Sequence, residues 1–434
     1  MAEKLSIFWF RRDLRLADNH GLYKALMSGN KVLPIFIFDT EILSQLENKE
    51  DRRVDFIFQA LNNINDELEK TGKSIQIFHG KPSEVFQKIT DQYSIAKVYC
   101  NEDYEPSAIK RDRAVAAFLK TKNIDFHSFK DQVHFHKNDI LKADQTPYTV
   151  YTPYSKQWLL KYNAEEPENY PSEQYLQNFE NGERQKFSLE MIGFRSTGLI
   201  FKRPEINFEI LKHYHDTRNF PATKTSEMSV HLRFGIISVR AVAKIAAALN
   251  ETYLKELIWR EFFMQILYHF PKVIHHSFKA KYDQIRWLYD EENLKKWQEG
   301  KTGFPMVDAG MRELNETGLM HNRVRMVCAS FLTKHLLIDW RIGEAYFAEK
   351  LLDYDLSANN GNWQWSAGSG CDAAPYFRVF NPEEQQKKFD PDFVYIKKWV
   401  KEFGTSAYPK PMVDHKFARV RALETYKKGL QELL

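Results

Sequence analysis

Cysteine is scarce in this sequence. Cys100, Cys328 and Cys371 are the only three in 434 residues, an odd and widely spaced set. They build neither a disulfide framework nor a Cys-x-x-Cys metal site, and they suit a reducing cytoplasm. Long apolar runs are missing as well. The apolar stretch before Arg11 is too short for a signal-peptide core, and no segment approaches the length of a membrane span. A soluble, cytoplasmic chain is expected. Charge of one sign is also lacking: the formal net charge is +4, so a nucleic-acid-binding face would have to be a local patch. There is no Walker motif and no catalytic-triad spacing. The pairs His134/His136, His213/His215 and His275/His276 lack carboxylates or cysteines at ligand spacing, so no metal site is expected.

What remains is a folded, aromatic-rich chain, 43% apolar and 14% aromatic, long enough for two or more domains. Short apolar runs over 5–10, 31–38, 74–78, 96–100 and 124–129 alternate with helical spacing over 19–27, 54–70, 83–93 and 107–120. This alternation predicts a Rossmann-like α/β domain, a parallel sheet covered on both faces. No Gly-x-Gly-x-x-Gly follows the first run, so a dinucleotide is not expected there in the ordinary way. Proline, asparagine, glutamate and glycine are scattered through 165–205, which reads as a long surface connection. From 238 onward helical periodicity dominates, over 241–249, 254–268, 306–316, 322–337, 343–352 and 391–403. The predicted architecture is an α/β N-terminal domain over 1–132, a linker over 133–205 and an all-α domain over 206–434.

Seven of the nine tryptophans lie from Trp259 onward. A large helical core would draw them in; so would chemistry based on stacking or electron transfer. On the helix predicted over 254–268, Glu256, Trp259, Arg260 and Phe263 share one face. That face suits a polar pocket that stacks a flat ligand, or a surface salt bridge beside a half-buried indole. Asn322, Arg325 and Met326 form a second cluster, suited to phosphate or flavin contacts or to a solvated basic turn. In the segment 353–365, Asp355, Asn359 and Trp363 fall at four-residue steps. Trp365 lies about 200° around a helix from Trp363 and cannot share that stripe. Two aspartates and three asparagines in so tryptophan-rich a stretch would need many partners in a core, which favours a cofactor site. The run Thr225-Ser226-Glu227-Met228-Ser229 offers hydroxyls and amides before a helix, either as a phosphate cradle or as a simple cap.

Taken together, eight segments resemble the photolyase/cryptochrome family in the family's order. They are FWFRRDLRLADN (8–19), YTVYTPYSKQW (148–158), TSEMSVHLRFG (225–235), ELIWREFF (256–263), WQEGKTGFPMVDAGMREL (297–314), MHNRVRM (320–326), DYDLSANNGNWQWSAG (353–368) and DAAPYFRVFNP (372–382). The likeness is greatest to class I enzymes that split cyclobutane pyrimidine dimers. It implies one non-covalent FAD, reduced when active and held by Tyr214, Thr225, Ser226, Glu227, Met228, Ser229, Tyr253, Arg325, Asp353, Tyr354, Asp355 and Asn359. Tyr253 stands where relatives often place tryptophan. Asn359 would face the flavin nitrogen whose protonation sets the redox state, with Arg325 paired to an aspartate.

The same resemblance implies light-driven repair of a flipped-out dimer by electron transfer from excited reduced FAD. Glu256 would hydrogen-bond the damaged bases, Trp259 and Trp365 would sandwich them, and Asn322 and Met326 would complete the pocket. Relatives specific for (6-4) products carry histidines at the last two positions. Arg218, Arg260, Arg323 and Arg378 would contact UV-damaged double-stranded DNA. Trp287, Trp340 and Trp363 match a chain carrying electrons to oxidised flavin. A second antenna chromophore (deazaflavin, folate or flavin) is implied, with folate disfavoured by Ser107-Ala108 and Ile274-His275. The chain is expected to be a monomer without an obligatory protein partner. The alternative is a cryptochrome-type blue-light photoreceptor with little or no repair activity.

Overall fold

A computed structural model describes residues 4–166 and 168–431. Its sheet contains β1 (Leu5–Phe10), β2 (Val32–Asp39), β3 (Gln76–Gly80), β4 (Ile95–Asn101) and β5 (Asp125–Phe129), all parallel in the order β3-β2-β1-β4-β5. Every residue of β1 and β2 is buried, as continuous apolar runs require when helices cover both faces. The edge strands β3 and β5 are more polar and more open. Trp9 pairs in register with Ile35 on one side and Cys100 on the other, at the centre of this core.

The chain divides into two compact units, and the division is not linear. The sheet unit takes the described residues up to Ile140 together with Trp158–Ile206 and Glu227–Ala248. The helical unit takes Leu141–Gln157, Asn207–Ser226 and the described residues from Leu249 onward. The stretch 133–205, read from its composition as a linker, is therefore mostly part of the sheet unit. Its backbone polar groups find partners on that unit: Glu180 N–H donates to Val32 O at 2.8 Å, and Thr197 N–H donates to Asp55 at 2.6 Å. A polar composition identified an exposed segment but could not distinguish a docked strap from a free connection.

The helical unit carries the helices Glu251–His269, Pro305–Thr317, Asn322–Ser330, Trp340–Lys350, Leu356–Ala367 and His415–Gln431. The helix predicted over 322–337 stops earlier: Phe331–His335 is a π-helical turn, and Leu337 has a φ of 53°. The helix predicted over 391–403 is shortened to Val394–Trp399, and a helix not predicted, Pro382–Phe389, precedes it. Asp390 separates them by accepting from the N–H groups of Tyr395 and Ile396, while Phe393 adopts a φ of 57°. Trp297, Trp340 and Trp363 are buried in one apolar cluster, and Trp287 packs against it.

Candidate active site

The helix Leu356–Ala367 forms the floor of a cleft within the helical unit. Asp355 is its N-cap, not a member of a helical stripe, and its carboxylate accepts from the N–H groups of Ser357 and Ala358. Gly361 lets this helix approach Glu251–His269: a Cβ there would lie 2.2 Å from the Phe263 ring. Gly343 does the same for Trp340–Lys350, where a Cβ would lie 2.2 Å from Trp363. Close approach at both points fixes the depth at which Asn359 and Trp363 sit.

The cleft encloses about 570 Å³ of space, its open mouth included. Of the predicted residues, Asn322, Arg325, Met326, Asp353, Tyr354, Asp355, Asn359, Trp363 and Trp365 line it. Sequence reasoning missed Phe347 and Leu351, which supply apolar wall. Both indoles of Leu356–Ala367 reach the same cleft despite leaving the helix in different directions, so the cleft wraps around its floor. Trp363 is 2% exposed and meets Phe347 edge-on at 4.9 Å, whereas Trp365 is half-buried under the Arg378 guanidinium at 5.7 Å.

The polar wall is ordered by pairs. Arg325 meets Asp353 at 2.9 Å and donates to Met320 O at 2.7 Å. The Asn359 amide donates to the Glu344 carboxylate at 2.8 Å and to the Glu344 carbonyl at 3.1 Å. Burial pushes the Glu344 carboxyl up, and the Asn359 hydrogen bond opposes that shift. Glu344 was not anticipated, because nothing near it in sequence marks its partner on another helix. His321 caps Asn322–Ser330, its Nδ1 accepting from Arg323 N–H at 3.1 Å. Burial, reinforced by Arg325, Arg323 and Arg218, pushes its pKa down to about 4.

Glu256, Trp259 and Arg260 are not part of this lining. Glu256 meets Arg218 at 2.6 Å; burial raises its pKa, with the Arg218 charge opposing. Trp259 stacks on Tyr151, a residue of the 148–158 segment to which the sequence assigned no role. Tyr253 donates from its hydroxyl to Ser226 at 3.1 Å and meets Tyr214 edge-on at 4.9 Å, which groups three of the predicted cofactor residues. Thr225 falls in the helical unit, whereas Glu227, Met228 and Ser229 fall in the sheet unit; Met228 is buried and Ser229 exposed.

Three predicted DNA contacts share one field. Burial lowers the Arg323 pKa, and the charges of Arg218 and Arg378 lower it further, so Arg323 feels both of the other guanidiniums. Arg323 also donates to Asn219 at 2.7 Å. Arg341 lies over Trp340 at 4.8 Å, and Trp287 meets Tyr426 edge-on at 5.8 Å. Among the described residues no cluster of histidine, cysteine and carboxylate could hold a metal, and no helix is long and apolar enough to cross a membrane.

A family model described as the FAD binding domain of DNA photolyase matches residues 253–406, and one described as DNA photolyase matches 6–172. The deoxyribodipyrimidine photo-lyase of Synechococcus sp. is 35% identical, covering 94% of this chain and 93% of its own length. That of Escherichia coli is 34% identical, covering 97% and 98%. A bacterial class III photolyase from Agrobacterium tumefaciens superposes with a TM-score of 0.87 at 32% identity, covering 99% of this chain and 98% of its own. An archaeal photolyase from Sulfolobus tokodaii, solved with two FAD molecules, gives 0.82 at 33% identity, covering 98% and 100%. Likeness at this level, over nearly the full length of every chain compared, makes this protein a member of the DNA photolyase family.

Proposed function

We propose that this protein repairs cyclobutane pyrimidine dimers in UV-damaged double-stranded DNA by a light-driven reaction. The observation that carries the reading is the cleft beside Asn359, with Trp365 on its wall and three arginines sharing a field nearby. Its apolar faces (Met326, Ala329, Phe347, Leu351) and polar rim (Arg325–Asp353, Asp355, Asn359) fit a flat heteroaromatic ring with hydrogen-bonding edges. Those residues, with Tyr214, Ser226 and Tyr253 toward the phosphates, would hold FAD. FAD in its reduced form supplies the photoexcited electron that splits the dimer.

Each side chain then has a defined task. Arg218, Arg323 and Arg378 draw the phosphates in, which makes binding salt-dependent. Trp365 and Trp259 stack on the flipped bases, and Asn322 and Met326 close the pocket. Glu256 contacts the base edges; burial pushes its pKa up and the Arg218 charge opposes that shift. Glu344 fixes the rotation of the Asn359 amide. Trp363, Trp340 and Trp287 serve photoreduction of the resting cofactor, not repair. A second chromophore is proposed for light harvesting, and the absorption spectrum of the purified protein identifies it. The protein is proposed to act as a cytoplasmic monomer.

Incubating dimer-containing duplex with the reduced, FAD-loaded protein, in blue light and in the dark, tests this. Light-dependent loss of the dimer is the expected result. A photochemically competent protein that leaves the dimer intact overturns the repair reading in favour of a blue-light receptor. That second reading is supported by likeness to a Synechocystis cryptochrome, with a TM-score of 0.82 at 25% identity.

A further inference from the structure

Tyr151 opens the helix Tyr151–Ala164, is 9% exposed and is held at three points. Its ring lies flat on the Trp259 indole, centroids 3.6 Å apart and planes 4° apart. Its hydroxyl donates to the Lys255 carbonyl at 2.9 Å. Its backbone N–H donates to Asp372 Oδ2, also at 2.9 Å. Phe262 meets both rings edge-on, at 5.8 Å from Tyr151 and 5.7 Å from Trp259.

These contacts have a mechanical consequence. Lys255 and Trp259 are one helical turn apart on Glu251–His269, so the hydroxyl bond and the ring stack make a closed loop through Tyr151. The phenol cannot swing away without breaking its hydrogen bond, and the indole cannot tilt without losing the stack. Tyr151 therefore covers one face of Trp259, while Phe263 packs on the indole at 5.5 Å with the planes tilted by 30°. The bond to Asp372 extends the brace. Asp372 begins the segment that carries Arg378, whose guanidinium lies 5.7 Å from the Trp365 ring.

We infer that Tyr151 is a positioning residue for damage recognition: it fixes the plane of Trp259 and ties that indole to the segment that covers Trp365. The inference rests on the proposed stacking of the dimer on Trp259. The hydroxyl remains a donor throughout, since burial and the nearby Glu256 charge both push its pKa up.

The experiment uses the full FAD-loaded chain, with affinity measured for a dimer-containing duplex and for undamaged duplex. Tyr151→Leu is expected to weaken dimer binding about tenfold, about 1.4 kcal/mol. Undamaged-duplex affinity, the flavin spectrum and the photoreduction rate should stay as in the wild type. Tyr151→Phe keeps the stack but loses the hydroxyl bond to Lys255, so its loss of dimer affinity should fall between wild type and Tyr151→Leu. In a Trp259→Ala background, Tyr151→Leu should cost nothing further, which a general weakening of the fold would not produce. Wild-type dimer affinity in Tyr151→Leu, with Trp259→Ala impaired, overturns the inference; so does an equal loss in both backgrounds. If Trp259→Ala binds the dimer normally, the stacking assignment itself fails and takes the inference with it. Should Tyr151→Leu not hold flavin, Asp372→Ala releases the backbone tether alone and should weaken dimer binding about threefold; no change there also overturns it.

Discussion

In the sheet unit, Asp131 is 2% exposed and lies between two guanidiniums, Arg15 at 2.7 Å and Arg240 at 2.9 Å. In the helical unit, Glu256 meets one guanidinium, Arg218, and its side chain keeps 30% of its surface open. Burial raises the pKa of both carboxyls. For Asp131 the two arginines outweigh burial and hold the group below the usual range; for Glu256 the single arginine does not, and the pKa stays up. A carboxylate enclosed and doubly paired is scaffold, because removing it leaves buried cations without a counter-charge. A carboxyl with one partner and one open side retains a valence for something that arrives later. Arg240 also reaches Asp18 at 3.1 Å, so each charge of the enclosed network faces an opposite one, whereas Arg323 feels the charges of Arg218 and Arg378, and of these two Arg218 already meets Glu256.

The sharpest way to break this contrast is to delete the two carboxylates in turn. Asp131→Ala should cost about 3–5 kcal/mol of stability and lower the yield of folded protein, read by chemical denaturation. Glu256→Gln should fold normally and lose dimer affinity; a destabilisation comparable to that of Asp131→Ala would erase the distinction. Next in size is Trp365→Ala, which removes a stacking wall. It should weaken dimer binding by about 1–3 kcal/mol with FAD content unchanged, and a loss of flavin would instead place Trp365 among the cofactor contacts.

The sheet was legible because five apolar runs with helical spacing between them have few other solutions, and the positions of all five strands match. The cleft was legible where its residues are neighbours in sequence: Asp353, Asp355, Asn359 and Trp363 were found together because their segment is too polar for a core. Partners far apart in the chain were not. Glu344 meets Asn359, and Tyr151 meets Trp259, across helices whose pairing no periodicity encodes. The docking of most of 133–205 on the sheet unit was illegible for a related reason. Composition reports whether a segment is wet, while docking depends on side chains such as Asp55 that wait elsewhere to accept its N–H groups.

Histidine sharpens the comparison further. His321 stands beside the arginine field, with Arg325, Arg323 and Arg218 facing it, and its pKa is pushed from 6.5 to about 4. The unfolded chain therefore binds a proton at higher pH than the folded one does. Stability from this group is present above about 6.5 and is lost as pH falls toward 4. His321→Asn replaces the capping Nδ1 with a capping oxygen and removes the titration. Between pH 7 and 4.5 its melting temperature should fall less than that of the wild type; equal falls would mean that His321 does not feel those cations.

The smallest expected effect separates attraction from readout within the open region. Arg323 donates to Asn219 and stacks on Phe389 at 4.4 Å, contacts that hold its guanidinium in place without neutralising it. If that charge meets a phosphate, Arg323→Gln should weaken binding of damaged and undamaged duplex alike, and the slope of log affinity against log salt should fall by about one. Trp365→Ala should do the reverse, lowering preference for the dimer while leaving the slope intact. An Arg323→Gln variant that loses selectivity with its salt slope unchanged would move this arginine from the field that gathers DNA to the surface that reads it.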